Sequence, residues 1–196
     1  MNKLFTIFLT AMFVKNVVLM RFLALCPFVG MSQDVKKSMG MGYAVLFVTL
    51  LATAVTYPVY RYVLAPLHLE FLQTLIFILV IASLVQLVEF YLKKAAPALY
   101  ASMGVYLALI TTNCAILGVA INNIKYEYDF IQSMVNSLGT GLGFMLAMYL
   151  FAGVRGYLDD CDIPENLKGL PITLVSAALV SVSFFGFKGI AEGLFL

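Results

Sequence analysis

The chain has 196 residues, of which 63% are hydrophobic and 11% are charged, and its mean hydropathy is +1.00. This composition excludes an ordinary soluble domain and indicates an integral membrane protein. The net charge is +2, and no basic cluster with interleaved aromatic residues is present, which argues against nucleic-acid binding.

Uncharged runs predict where the chain crosses the membrane. Five runs are near or above the roughly 18–20 residues that span a bilayer: Ser38–Tyr60, Phe71–Val88, Ala95–Ile124, Phe130–Val154 and Gly169–Phe187. A further apolar segment, from about Leu4 to Val29, precedes them. Lys15, Asn16 and Arg21 lie inside it, so it is either a functional span or a broken one. The sequence shows no small-residue cleavage pattern there, so we expect this span to be retained. We therefore predict an all-α membrane protein with six transmembrane helices.

The order of features repeats between the first half, about 1–97, and the second half, about 98–196. A Cys-x-x-x-Gly element lies in the first span of each half, at Cys26–Gly30 and at Cys114–Gly118. A glycine-rich stretch follows in each half, and the next span ends at an arginine. Because three spans are an odd number, the second copy must be upside down relative to the first. We predict a single integral membrane domain built from two inverted three-helix repeats.

Both cysteine segments carry residues that interrupt helices. Pro27 cannot donate a helical hydrogen bond, and the polar residues before Cys114 and the glycine after it offer side-chain partners and backbone freedom. We therefore predict that the first helix of each repeat is broken, and that the two cysteines come from opposite faces of the membrane to meet near its midplane. The alternative is that Pro27 only kinks a helix and that the glycines only permit close packing.

The distribution of basic residues predicts the orientation. One set of loops holds Lys36, Lys37, Lys93, Lys94, Arg155 and Lys168, and the other holds Lys3, Arg61, Lys125 and Lys188. Because basic residues favour the cytoplasmic side, we expect both termini to face outward.

Thiolates are soft ligands for iron and iron–sulfur clusters, so Cys26 and Cys114 are candidate metal ligands. Two thiolates do not complete such a site. The only histidine, His68, lies in a loop, and no carboxylate falls in either cysteine segment. A partner subunit must then supply the missing ligands, most simply a paralogue with two such cysteines. Cys161 lies apart and is interpreted as a free thiol.

Other interpretations of the two cysteines stay open. They could pack as small hydrophobic residues in a non-redox transporter with inverted repeats, form a disulfide bond, or bind zinc structurally. No catalytic constellation and no nucleotide- or flavin-binding motif is present in the sequence. Lys15 and Arg21 are candidates to offset the negative charge of a buried cluster, or they snorkel to the lipid headgroups.

Five segments resemble the RnfA/NqrE family of membrane subunits, from the Rnf complex and from the sodium-pumping NADH:quinone reductase: Phe22–Gly30, Met39–Gly42, Phe77–Ala82, Leu109–Ala120 and Asp162–Pro164. Thr111-Thr112-Asn113-Cys114-Ala115 is the most specific stretch. It and Cys26-Pro27-Phe28 are more similar to the Rnf branch.

The resemblance implies a membrane subunit of an ion-translocating ferredoxin:NAD oxidoreductase in the bacterial inner membrane, with an NqrE-type subunit as the alternative. It implies that Cys26 and Cys114 hold an iron centre, a [2Fe-2S] cluster or a single iron, together with a homologous six-helix subunit (RnfE-like). Residues around that centre would be Pro27, Gly30, Thr112, Asn113 and Gly118. Other subunits of the complex would bind ferredoxin, NAD and flavins, and the ion moved would be Na⁺ or H⁺.

Overall fold

A computed structural model describes residues 3–32, 35–64, 70–95, 110, 113–159, 161, 164 and 167–195. All regular secondary structure in these ranges is helical, which confirms the predicted all-α class for the described part of the chain.

The first apolar segment is divided into four short pieces. These are α1 (Lys3–Leu9), a π-helical turn (Thr10–Val14), α2 (Val17–Arg21) and α3 (Leu25–Met31). The remaining elements are α4 (Val35–Val59), a π-helical turn (Tyr60–Leu64), a 3-10 turn (Glu70–Leu72), α5 (Gln73–Ala95), α6 (Cys114–Lys125), α7 (Phe130–Asp159) and α8 (Leu170–Phe195).

Three helices among the described residues are long and apolar enough to cross a membrane. They cover Ser38–Leu64, Gln73–Phe90 and Phe130–Leu158, which matches three of the predicted spans. Shorter apolar helices cover Lys3–Val14, Cys114–Lys125 and Leu170–Gly186. Residues 96–109 of the predicted fourth span lie outside the described residues, so the number of six spans stays a prediction.

The predicted break in the first segment is present, but Pro27 does not cause it. The helix stops at Lys15–Asn16 and again at Phe22–Ala24, where Phe22 and Ala24 have left-handed φ angles of 53° and 65°. Pro27 is the third residue of α3, where a helix does not require its N–H group. The position predicted for the break was therefore wrong, because proline is tolerated in a first helical turn.

The helices α4 and α7 pack against each other in antiparallel directions, and glycines permit their close approach. A Cβ atom added to Gly42 would lie 2.8 Å from Met145 Cγ, and one added to Gly141 would lie 3.1 Å from Leu46 Cα. Farther along the pair, Thr53 contacts Ser137. The buried core follows this contact, with Met41, Val45, Val48, Ala52, Phe144, Ala147, Met148 and Phe151.

The N-terminal segment runs along α7 in the same direction and uses a different pair of glycines. A Cβ atom added to Gly139 would lie 2.9 Å from the Phe8 carbonyl oxygen, and one added to Gly143 would lie 2.8 Å from the Met12 carbonyl oxygen. Two glycines four residues apart thus form the surface on which α1 and its π-helical turn lie, as is typical of close helix contacts in membranes.

Candidate metal centre

Cys26 lies at the start of the short helix α3. The left-handed residues Phe22 and Ala24 turn the chain just before it, and the first hydrogen bond of the new helix runs from the Phe28 N–H to the Ala24 carbonyl at 3.2 Å. The Cys26 side chain is exposed. Cys26 is therefore the second residue of α3 and lies in its first turn.

Contacts from α7 hold α3 in place. The Arg155 guanidinium donates hydrogen bonds from Nη1 to the Val29 carbonyl at 2.6 Å and to Ser32 Oγ at 2.8 Å, near the C-terminal end of α3. The Phe28 ring stacks on the Phe151 ring with 4.3 Å between their centroids. A cation at a helix C-terminus is electrostatically favourable, so these contacts fix the helix that carries Cys26.

Cys114 is the first residue of α6, and its side chain is also exposed. Asn113 caps this helix, because its Oδ1 accepts a hydrogen bond from the Ala115 N–H at 2.9 Å. Asn113 itself is buried, with 5% of its surface exposed. Both predicted ligands thus occupy first helical turns, and both present their thiols at the surface of the subunit.

The two cysteine-bearing helices point in opposite directions. α3 ends beside Arg155, near the C-terminal end of α7, whereas α6 leads into the turn that precedes the N-terminus of α7. The chain before α3 also contacts the beginning of α6, because a Cβ atom added to Gly118 would lie 3.0 Å from Leu23 Cδ1. The structure therefore brings the segment before Cys26 against the first turns of the helix that Cys114 begins.

The other residues predicted around the centre differ in their surroundings. Pro27 is buried in the first turn of α3, and Gly118 packs against Leu23. Gly30 is exposed, with nothing within 4 Å of an added Cβ atom, so this side of α3 is open. Thr112 lies outside the described residues.

The described cysteines form no disulfide bond, and Cys161 is an exposed thiol that donates to the Tyr157 carbonyl at 3.4 Å. Within the ranges the structure describes, no group of three or more histidine, cysteine, aspartate or glutamate side chains is placed to hold a metal ion. In this part of the chain, Cys26 and Cys114 can supply only two thiolate ligands.

Lys15 and Arg21 both reach the C-terminal half of α6. The Lys15 ammonium lies 4.4 Å from the centroid of the Tyr126 ring, and Arg21 Nη1 donates to Asn122 Oδ1 at 2.8 Å. Burial raises the pKa of the Tyr126 hydroxyl, but hydrogen bonding and positive charge from Lys15 and Arg21 outweigh burial and bring this pKa below its ordinary value. The sequence analysis did not predict these partners, because they lie more than 100 positions away from Lys15 and Arg21 in the chain.

A buried polar network joins α4, α6 and α7 and was not predicted from the sequence. Ser137 Oγ lies 2.6 Å from Thr53 Oγ1, and the Asn136 side-chain amide donates to Asn123 Oδ1 at 2.7 Å. Asn123 Nδ2 in turn donates to Ser137 Oγ at 3.4 Å. These bonds connect the helix that begins at Cys114 to the antiparallel pair α4 and α7.

Comparison with known proteins gives a consistent result along the whole chain. Residues 4–191 match the model of a family described as "Rnf-Nqr subunit, membrane protein". The A-subunit of a Na(+)-translocating ferredoxin:NAD(+) oxidoreductase complex from Acetobacterium woodii is 53% identical over 95% of this chain and 97% of its own length.

Two other relatives carry related names. The A-subunit of an ion-translocating oxidoreductase complex from Syntrophotalea carbinolica is 49% identical over 98% of this chain and 100% of its own length. The A-subunit of a proton-translocating ferredoxin:NAD(+) oxidoreductase complex from Clostridium ljungdahlii is 46% identical over 94% of this chain and 95% of its own length. The Acetobacterium woodii relative is named for Na⁺ and the Clostridium ljungdahlii relative for protons, although both are similar to this chain.

Proposed function

The chain belongs to the Rnf-Nqr family of membrane subunits, and from this premise we propose that it is the RnfA-type component of an ion-translocating ferredoxin:NAD oxidoreductase complex. Within that complex, it relays electrons through an iron centre that it shares with a homologous membrane subunit. Ferredoxin, NAD and flavins bind to other subunits. The complex lies in the bacterial cytoplasmic membrane, and both termini of this chain face outward.

The arrangement of Cys26 and Cys114 carries this proposal. Each thiol is exposed, and each stands in the first turn of a helix, on helices that point in opposite directions. Two such thiols on the surface of one subunit offer half of a four-thiolate site, and a partner with the same pair would complete it. A [2Fe-2S] cluster fits this ligand chemistry and would accept and release one electron when bound.

The surroundings of the thiols also suit a negatively charged centre. The positive ends of the helix dipoles at the starts of α3 and α6 favour a negatively charged centre beside Cys26 and Cys114. Lys15 and Arg21 contact the other end of α6, at Tyr126 and Asn122. One buried donor, Asn113 Nδ2, has no acceptor among the described residues. A buried donor without a protein partner, on the residue next to Cys114, suits hydrogen bonding to the sulfur atoms of such a centre.

The contact between α4 and α7 supports the inverted repeat that we propose for this domain. Leu46 lies four residues after Gly42 and packs on Gly141. In the same way, Met145 lies four residues after Gly141 and packs on Gly42. Such a reciprocal contact between antiparallel helices has the symmetry of a twofold axis perpendicular to them. An axis of this kind, lying in the membrane plane, relates the halves of inverted-repeat proteins.

Metal analysis of the intact complex tests the proposal. We expect the complex purified with its native partner subunits to contain iron and acid-labile sulfide that are lost from the Cys114→Ser variant, together with one EPR signal. Cys161→Ser is the matched control, since Cys161 is an exposed cysteine that lies on neither α3 nor α6, and it should keep the full iron content. An intact complex whose iron content is the same with and without Cys114 would overturn the proposal.

A further inference from the structure

We propose that Asn113 donates a hydrogen bond from its side-chain amide to a sulfur atom of the iron centre at Cys114, and that this bond raises the reduction potential of the centre. The inference rests on the proposed function and deepens it, because it gives a redox role to a residue that also caps α6. Asn113 directly precedes Cys114 in the chain.

Almost all the hydrogen-bonding groups of Asn113 are paired within the protein. Its Oδ1 accepts from the Ala115 N–H at 2.9 Å, its carbonyl accepts from the Ile116 N–H at 3.2 Å, and its own N–H donates to the Ile110 carbonyl at 3.2 Å. The exception is Nδ2, which is buried and has no acceptor among the described residues. A buried amide group with no acceptor costs free energy, so this position calls for a partner.

The cap determines which side of the amide group carries the donor. If the oxygen and nitrogen of the Asn113 side chain exchanged places, the NH₂ group would face the Ala115 N–H, and two donors would meet. The oxygen must therefore face the helix. The NH₂ group is left for an acceptor that is not part of the helix start.

A second asparagine in the structure shows what a fully paired cap looks like. Asn16 caps α2 by accepting from the N–H groups of Val18 and Leu19, and its Nδ2 donates to the Gly143 carbonyl at 2.9 Å and to the Met12 carbonyl at 3.3 Å. Both asparagines are buried caps. Only the one beside a proposed metal ligand keeps its NH₂ group unpaired among the described residues.

A hydrogen bond to a metal-bound sulfur has a predictable effect on redox chemistry. Reduction adds negative charge to the centre, and an N–H donor stabilises that charge more strongly than it stabilises the oxidised state. The donor therefore raises the reduction potential, and its removal lowers it.

Substitutions can separate the cap from the donor. Serine and aspartate both cap helices well, but neither carries an NH₂ group. In the complex with its native partner subunits, we expect Asn113→Ser to keep its iron and to shift the midpoint potential, measured by EPR-monitored titration, to a more negative value. Asn113→Asp should shift it further, since a carboxylate adds negative charge. Asn16→Ser is the control and should lower thermal stability without shifting the potential.

Three outcomes are informative. An Asn113→Ser complex with normal iron content and an unchanged potential would overturn the role of Asn113 while leaving the proposed function intact. An intact unsubstituted complex without iron would contradict the proposed function itself. If Asn113→Ser fails to assemble, the unsubstituted complex labelled with ¹⁵N in its asparagine side chains gives the answer. Pulsed EPR of the reduced centre should show coupling to one amide nitrogen, and its absence would overturn the inference.

Discussion

The two helices that carry the cysteines are held in place in different ways. α3 has 7 residues, begins after the left-handed residue Ala24 and has no side-chain cap, so Phe151 and Arg155 of α7 fix it. α6 has 12 residues, and Asn113 caps it locally. The start of α3 therefore depends on distant residues, whereas the start of α6, at Cys114, is capped by the residue directly before it.

Among the substitutions that test this difference, one at Arg155 should lower stability the most. Arg155→Gln removes charge-assisted hydrogen bonds to the Val29 carbonyl and Ser32 Oγ, so the free energy of unfolding should fall by about 3 kcal/mol. Iron content should fall with it, because α3 loses its anchor. Thermal unfolding in detergent and iron analysis measure both effects.

Arg61→Gln is the control for this substitution. Arg61 is exposed and bonds the Tyr57 hydroxyl at 3.2 Å, so its loss should change stability by no more than about 0.5 kcal/mol. Equal losses in the two variants would show that Arg155 is not a specific anchor of α3.

A second test concerns the surface of α7 on which the N-terminal segment packs. Gly143→Ala would place a methyl group 2.8 Å from the Met12 carbonyl oxygen, and relief of this overlap should cost about 2 kcal/mol. Gly153→Ala, in the same helix, meets nothing within 4 Å and should be neutral or slightly stabilising. Equal melting temperatures for the two variants would contradict close packing of the N-terminal segment on Gly143.

Asn16 caps α2 in the first segment and Asn113 caps α6, so substitutions at these two residues compare the two regions directly. Asn16→Ala removes two cap bonds and two bonds to carbonyl groups, so the free energy of unfolding should fall by about 2 kcal/mol. Asn113→Ala removes one cap bond and should cost about 1 kcal/mol. Denaturation of both variants under one condition measures the difference. A larger loss at Asn113 would reverse the expected order.

The smallest effect concerns the cation beside Tyr126. Lys15→Met removes the contact between the ammonium group and the ring, which should cost about 0.5–1 kcal/mol. It also removes a charge that favours tyrosinate, so the pKa of Tyr126 should rise. Ultraviolet titration of tyrosinate, with Tyr126→Phe as the reference, measures the shift. Lys168→Met controls for net charge, and an equal shift in that variant would contradict a local effect.

The sequence predicted the features of the fold that depend on composition. Long uncharged runs become the long helices Ser38–Leu64, Gln73–Phe90 and Phe130–Leu158, because length and hydropathy are properties of each segment alone. The break in the first segment was also predicted, but not its position. Phe22 and Ala24 adopt left-handed conformations that residues of their types rarely take, so no sequence signal marked them.

The candidate site was predictable only in part. The repeated Cys-x-x-x-Gly elements indicated Cys26 and Cys114 from the sequence, and their role as ligands stays a prediction. The anchoring of α3 by Arg155 and the contact of Lys15 with Tyr126 join residues more than a hundred positions apart. Such pairs follow from the packing of helices, which a single sequence does not specify.

The central proposal, that electrons pass through a centre held by Cys26 and Cys114, is tested most directly by electron transfer in a complex lacking both thiols. The measurement is the rate of ferredoxin-dependent NAD reduction by the purified complex carrying Cys26→Ala and Cys114→Ala, with Cys161→Ala as the control. We predict that the double variant assembles with all its subunits but loses this activity, while the control keeps it. Electron transfer at the unsubstituted rate in the double variant would contradict the proposal.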